Sequence, residues 1–571
     1  MDGEHILDHV FGKGNWGDEK QLEEKLTLSY YQSGGWLPKG YTNGFFLDQT
    51  AARYPDKVGL IQGHENREMT WGEFKNKVYR LALALIDMGI RPGDKVAIAI
   101  ANSIEWCLAQ QAITYIGGVF CPLHVFYRET EWRRILSQGD CKAIFMDEEH
   151  RGFSFVDLIV KIQGDLPQLA NVIVDGRPGP QMHSMQELME KNWEEKYPDD
   201  YIHQIYLKEN YFDADSMYQL VYSSGTTGTP KGIMHSQSTD LLSSIGHLAR
   251  IGVVPDDVIL CLGILSHQYG FLCNFLTCLL TGATIVLIGD YHGDKVIKVV
   301  KDYRLTRIHG VATALVDILR HPEMEKVDWS SLRWFRVGGM ATPLEVVKEF
   351  SQKTGAKFGN DWGLTECNTP TGTPTTFAPE KAVKSVGPPY IGCEAKIVSP
   401  HNRNIVVPVD AEGEIAIRGL TVGQGYYKDP ERTKSEFDFE RGWVYSGDYG
   451  YMDEGGNLYL TARAKEIINR GGHPVKPGEI EEPLYQHPEI REVAVAGYPH
   501  ERLGEGSCAF IVPRKEGRVF TRDEIKNFLS ERVGSDKIPD RVETVESLPY
   551  NPAGKVMRYR LKQILAEKLS K

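Results

Sequence analysis

Residues 71–88, WGEFKNKVYRLALALIDM, carry apolar side chains at helical spacing, and Thr70 with Glu73 three positions on supplies a capping box for the helix start. Gly89 and the turn at 91–94 end it, and residues 95–100, KVAIAI, then read as a short buried strand. A second helix is expected near 103–116, followed by a strand running into Pro122. Similar apolar runs recur at 217–223, 258–263, 284–288, 307–311 and 334–337. Strands that are apolar throughout, alternating with helices, predict an α/β fold with parallel sheets covered by helices.

After about residue 385 the texture changes. Stretches at 395–398, 413–418, 443–445 and 457–460 read as short strands between tight turns, the pattern of a small β-rich subdomain. Further on, 492–497 and 508–512 read as strands, and 521–533 as a helix with a Thr521/Glu524 capping box, implying a compact α+β tail domain.

Bulk properties narrow the function classes. At 571 residues the chain exceeds one hydrophobic core, so more than one domain is expected. The net charge of -12 repels polyanions and makes nucleic acid a poor partner. The cysteine count, nine, is odd and has no Cys-x-x-Cys pair, which speaks against a disulfide framework or zinc cluster. The first residues lack the basic and apolar regions of a signal peptide, and a cytoplasmic location is expected. Residues 271–289 are uncharged and nearly long enough for a bilayer, but Thr281-Gly282-Ala283 divides them into a helix and a β-branched strand. No integral membrane segment is expected.

The chemistry starts at the strand 218–222, which runs into Ser223-Ser224-Gly225-Thr226-Thr227-Gly228-Thr229-Pro230-Lys231-Gly232. Glycines let such a backbone turn its N–H groups towards oxyanions, and hydroxyls and a lysine add donors. A Walker loop needs Gly-Lys-Ser/Thr, whereas here Pro230 precedes and Gly232 follows the lysine. The bland alternative is a solvated Ser/Thr/Gly hairpin loop.

With this loop, the motifs Val337-Gly338-Gly339-Met340-Ala341, Asn360-Asp361-Trp362-Gly363-Leu364-Thr365-Glu366, Tyr445-Ser446-Gly447-Asp448, Arg463-Ala464-Lys465-Glu466 and Pro552-Ala553-Gly554-Lys555 follow in order. In these the chain, from about Phe45 to Lys562, resembles the AMP-forming, adenylate-forming superfamily of acyl-CoA synthetases, aryl-acid ligases, luciferases and adenylation domains. The resemblance implies a large domain at 1–462, two helix-covered sheets plus a β-rich subdomain at about 386–462, and a small mobile α+β domain at 463–571 hinged at Lys465.

It further implies an ATP-dependent carboxylate–CoA ligase working through acyl-AMP, with Mg²⁺ as cofactor and ATP and CoA as co-substrates. Thr365 would meet the α-phosphate, Glu366 the Mg²⁺, and Lys555 would bridge carboxylate and α-phosphate. Trp362 would stack near the adenine, Gly338 and Gly339 would bracket adenine and the acyl group, and Asp361 would join the nucleotide-binding residues, while Asp448 would grip the ribose hydroxyls and Arg463 lie near ribose and phosphate. Arg470, Gly471 and Gly472 would border the CoA tunnel, although His473-Pro474-Val475 departs from the family's usual continuation.

Leu265-Ser266-His267-Gln268-Tyr269-Gly270-Phe271 resembles the family's aromatic gate. An acyl pocket would then be lined by His267, Gln268, Tyr269, Gly270, Gly339, Met340 and Gly363. Gly363 stands where acetate-activating relatives carry a tryptophan, which is expected to open room for a larger acid. Gln268 stands where aryl-acid ligases read ring hydroxyls, so aryl acids stay open beside a medium-chain or alicyclic one. A carrier-protein thiol stays open as acceptor beside CoA, and a homodimer among the possible assemblies.

Overall fold

The computed structural model describes residues 42–223, 231–289, 291–338, 342–463, 466–470, 473–500, 504–530, 532–534, 537–550 and 555–569. It divides into two compact units, one formed by residues 1–395 and 417–444, the other by 396–416 and 445–571.

Among the described residues, the larger unit holds two large sheets. The first has eight strands in the order Asn368–Gly372, Lys357–Leu364, Trp334–Gly338, Arg307–Gly310, Val258–Cys261, Thr284–Leu287, Val58–Gln62 and Arg67–Thr70. Its inner strands pair in parallel, and the two edge strands run antiparallel. The second has seven strands, with Lys231–Ser236 antiparallel at one edge next to Met217–Ser223. The parallel strands are buried almost throughout, which is why they are apolar without alternation.

The expected helix after Thr70 spans Trp71–Asp87, with both halves of the capping box formed. Its Trp71, Phe74, Val78, Leu81 and Leu85 enter a core shared with Trp106, Phe120, Phe271 and Phe275. The uncharged run at 271 begins as a π-helical turn, Phe271–Leu276, becomes α-helix over Thr277–Thr281, and ends at Gly282 with φ 73° before the strand Thr284–Leu287. A side chain at Gly282 would strike the Tyr54 ring, so this stop is fixed by packing as well as by φ. Among the described residues, no helix is long and apolar enough to cross a membrane.

In the smaller unit, Ile490–His500 and Gly504–Pro513 form a long antiparallel pair that extends well beyond the expected strands. The capped helix there, Arg522–Leu529, ends earlier than the periodicity suggested. All nine cysteines are buried.

Candidate active site

Ser223 pairs with Lys231 across the hairpin Met217–Ser223/Lys231–Ser236, so the intervening residues join two adjacent strand ends. Ser224, Gly225, Thr226, Thr227, Gly228 and Thr229 lie outside the described residues. Lys231 is largely buried and pairs with Glu436 at 3.2 Å, its ammonium 5.0 Å from the Tyr426 ring centre. The Tyr426 hydroxyl meets Glu366 Oε1 at 2.7 Å and also Glu436 Oε2. Burial and these two carboxylates hold the Tyr426 phenol well above its ordinary value. One phenolic proton cannot serve two carboxylates at once, and Lys231 and Arg432, the latter 5.9 Å from the Tyr426 ring centre, supply positive charge beside them. Such an oxygen-rich corner fits Mg²⁺, with Glu366 as the residue to hold it. The ion would neutralise phosphate charge there. Sequence reasoning missed Tyr426 and Glu436, because neither lies in a motif and they approach Glu366 only through the fold.

Thr365 and Glu366 occupy the turn between Lys357–Leu364 and Asn368–Gly372. The Thr365 carbonyl accepts from His235 Nε2 at 2.7 Å, and Gly423 N–H donates to the Glu366 carbonyl at 2.9 Å. The first bond holds the turn against the strand Lys231–Ser236 and the second against the segment around Gly423. Trp362 is 4% exposed, so most of its ring is packed inside the protein.

The Asp361 side chain points inwards. It forms a fully buried ion pair with Arg336, and it accepts from the Tyr390 hydroxyl at 2.9 Å and the Tyr269 hydroxyl at 3.4 Å. Burial alone would lower the Arg336 guanidinium, but Asp361 and the two tyrosines outweigh it and hold it firmly charged. Glycines make the room: a Cβ at Gly359 would lie 2.3 Å from Arg336 Nη1, and one at Gly372 2.1 Å from the Tyr390 oxygen. The Asp361 carboxylate is therefore a structural anchor, and any nucleotide contact at this position falls to its backbone. Tyr269 also packs its ring over Gly338, 2.9 Å from where a Cβ would stand, joining the gate segment to the Gly-Gly strand end.

Gln268 belongs to a second buried network. Its Nε2 donates to Asn368 Oδ1 at 2.6 Å, and its Oε1 accepts from Gln219 Nε2 at 2.8 Å. Asn368 Nδ2 donates to Asp240 Oδ1 at 2.7 Å, and the Tyr218 hydroxyl donates to Asp240 Oδ2 at 2.7 Å. Burial pushes the Asp240 carboxyl up to about 7 and the neighbouring His235 down to about 4. Because His235 Nε2 faces a carbonyl it carries the proton, leaving the Nδ1 lone pair 3.5 Å from Asp240 Oδ1, a pairing that favours a protonated Asp240.

His267 is half-buried, and its Nδ1 accepts from Tyr269 N–H at 3.4 Å. His124, which carries no motif, stands 3.0 Å from Ser266 Oγ, and burial lowers it to about 4, so it is neutral. Gly270 is required by its neighbour: a Cβ would sit 2.1 Å from the Ile264 carbonyl oxygen.

The expectation for Gly363 needs correcting. Its hydrogen points at the Asn368 carbonyl, which a Cβ would approach to 1.9 Å, where Asn368 itself adopts φ 57°. The pairing slips by one residue between Trp362 and Leu364. The glycine thus makes room for backbone at a bulge, on the side where a tryptophan would otherwise begin. Gly339 and Met340 lie outside the described residues.

In the smaller unit, Asp448 and Arg463 are directly opposed across antiparallel strands and form an ion pair at 3.1 Å. Asp448 is buried and Arg463 is largely accessible. Gly447, with φ 68°, turns its N–H onto Glu414 Oε1 at 3.1 Å and so shapes the approach to Asp448. Arg470 is bidentate to Asp540 rather than free-standing, its Nε 3.0 Å from Oδ2. Lys465, Gly471 and Gly472 lie outside the described residues. Lys555 is half-buried and precedes the bridge residue Val556, which pairs with Tyr550.

Comparison with known proteins identifies the family. The family model for the AMP-binding enzyme matches residues 47–427, and that for the AMP-binding enzyme C-terminal domain matches 479–555. The medium-chain fatty-acid–CoA ligase of Escherichia coli is 29% identical over 576 aligned positions, covering 100% of this chain and 98% of that one. A Rhodococcus jostii CoA ligase named for a methyl-dioxo-octahydroindenyl propanoyl group is 31% identical, covering 90% of this chain and 97% of its own. Among solved structures, the o-succinylbenzoate CoA synthetase of Bacillus subtilis, bound to its acyl-adenylate, superposes with a TM-score of 0.76 at 26% identity, over 92% of this chain and 99% of that one. With its motifs, fold and both family regions in place, the chain belongs to the AMP-binding enzyme family, as an acyl-CoA synthetase of the adenylate-forming superfamily.

Proposed function

We propose that this acyl-CoA ligase activates a medium-chain or alicyclic carboxylic acid. The observation that carries the choice is the Gln268 amide, which is engaged at both ends by Gln219 and Asn368 within the protein. An amide so committed does not turn to read a ring hydroxyl without leaving buried partners unpaired. The names of the Escherichia coli and Rhodococcus jostii relatives, one medium-chain and one bicyclic, support the same choice.

The chemistry follows from charge. Carboxylate and ATP are both anionic, so the site must align them and neutralise them. The loop 223–231 takes the β- and γ-phosphates, Thr365 takes the α-phosphate side, where Glu366 would hold Mg²⁺ to neutralise charge, and Asp448 grips the ribose hydroxyls with Arg463 beside it. Lys555 bridges the acid and the α-phosphate as pyrophosphate leaves. A turn about Lys465 then withdraws Lys555 and brings the 470–472 segment up for thiol attack by CoA, which releases AMP, in the cytoplasm.

The test is a comparison of kcat/KM for octanoate, cyclohexanecarboxylate, salicylate and acetate. Octanoate or cyclohexanecarboxylate should lead by about tenfold or more. A lead for salicylate would overturn the choice.

A further inference from the structure

Arg558 stands at the start of the helix Arg558–Leu569, three residues after Lys555. Its guanidinium makes four bonds in three directions. Nη1 donates to Glu466 Oε2 at 2.8 Å, Nη2 donates to both Glu481 oxygens at 2.8 and 3.0 Å, and Nε donates to the Val495 carbonyl at 3.1 Å. Glu481 in turn accepts from the Val495 N–H at 2.6 Å. The three side chains are between 14% and 29% exposed, so water screens the cluster only partly. Burial would lower Arg558, and the two carboxylates outweigh it and hold the guanidinium charged.

The position of Glu466 gives this cluster a meaning beyond stability. It follows Lys465 directly, and Ile467 N–H donates back to the Arg463 carbonyl at 3.2 Å before the strand Ile468–Arg470 begins. Ile468 is buried in the core of the smaller unit, with Val495 and Ile480. On the other side, Met557 N–H donates to the Pro549 carbonyl at 2.7 Å, tying the two ends of the Lys555 segment to each other, and the Tyr550 hydroxyl donates to Glu492 of the strand Ile490–His500 at 2.9 Å, tying that segment to the sheet.

We infer that Arg558 is a positioning residue for adenylation: by clamping Glu466, the first residue past the hinge, it makes the hinge and the Lys555 segment turn as one piece. A backbone rotation at one position delivers a distant lysine accurately only if nothing slackens between them. A planar guanidinium held by two carboxylates and a carbonyl is a stiff connector, and a lysine in its place reaches one of these partners at a time. This rests on Lys465 being the hinge and Lys555 the adenylating lysine.

The two half-reactions separate the inference from general stabilisation, because Lys555 serves only the first. In the full-length enzyme, with the acid that gives the wild type its fastest turnover, Glu466→Ala removes the hinge-side contact and leaves Arg558 bound to Glu481. Acid-dependent ATP–pyrophosphate exchange should fall about tenfold in kcat, with the KM for ATP held within about twofold. Thioester formation from supplied acyl-adenylate and CoA should stay within about twofold of wild type. Arg558→Lys should show the same split, and it decides the matter if Glu466→Ala melts early. Equal loss in both half-reactions, loss only in thioester formation, or unchanged exchange overturns the inference. Lys555→Ala serves as reference: if it leaves exchange intact, the assignment of Lys555 fails, whereas if it abolishes exchange while the clamp variants do not, the clamp alone fails.

Discussion

Arg336 and Asp361 form an ion pair with both side chains wholly withdrawn from solvent, between two strands paired in parallel, with Tyr390 and Tyr269 completing the carboxylate's shell. A pair of this kind contributes little net stability relative to apolar packing, yet breaking it strands a buried charge. Arg336→Met should cost about 3–5 kcal/mol in denaturant unfolding. The double variant Arg336→Met/Asp361→Asn should be less damaged than the single one, since no charge is then left alone. Additive costs in the double variant would show that the two residues are not coupled.

Glu366 and Glu436 share the Tyr426 hydroxyl, with Lys231 alongside. Tyr426→Phe removes the one proton between two carboxylates and leaves the ring in place. The concentration of Mg²⁺ for half-maximal exchange should shift by about tenfold, the usual scale for a residue that orients a metal ligand. Glu366→Gln should raise the Mg²⁺ requirement further. A Mg²⁺ dependence unchanged in both variants would remove this corner from the metal's surroundings.

The Asp240 carboxyl is raised by burial from 3.8 to about 7. The folded state therefore holds this proton more tightly than the unfolded chain does. The contribution to stability is complete below about 4 and is lost as the pH rises through about 7. Asp175, also pushed up to about 7 by burial, adds a slope of the same sign. Comparing the wild type with Asp240→Asn isolates the first group. Denaturation midpoints taken between about pH 5 and 8 should fall less steeply in the variant, the difference approaching about 1.4 kcal/mol per pH unit between about pH 5 and 6 and fading above about pH 7. Parallel curves would mean that Asp240 is ionised throughout.

Gly363 distinguishes a backbone requirement from a pocket floor. If its hydrogen faces the Asn368 carbonyl, Gly363→Ala displaces the turn that carries Thr365 and Glu366. Activity should then fall by a similar factor, about tenfold or more, for short and long acids alike. A selective loss of the longer acids would restore the pocket-floor reading.

The alternation of strands and helices, the capping box at Thr70, and the αL stop at Gly282 were all legible in the sequence, because each is decided locally by side-chain period or backbone freedom. The motif order was legible too, and it led to the family. What escaped were directions. Nothing in a run of letters says that the Asp361 carboxylate faces Arg336 instead of solvent, or that Gly363 faces a carbonyl. Tyr426, Glu436 and His235 reach the Thr365–Glu366 turn across long sequence separations, so their part is written only in the fold.

The central claim is that this chain joins a carboxylic acid to AMP before any thiol is involved. Carboxylate-dependent exchange of labelled pyrophosphate into ATP, measured without CoA, tests it most directly. The account expects exchange that requires acid and Mg²⁺, is lost in Lys555→Ala, and gives way to AMP and loss of free thiol once CoA is added. Absence of exchange across medium-chain, alicyclic and aryl acids, or formation of ADP in place of AMP, would contradict it.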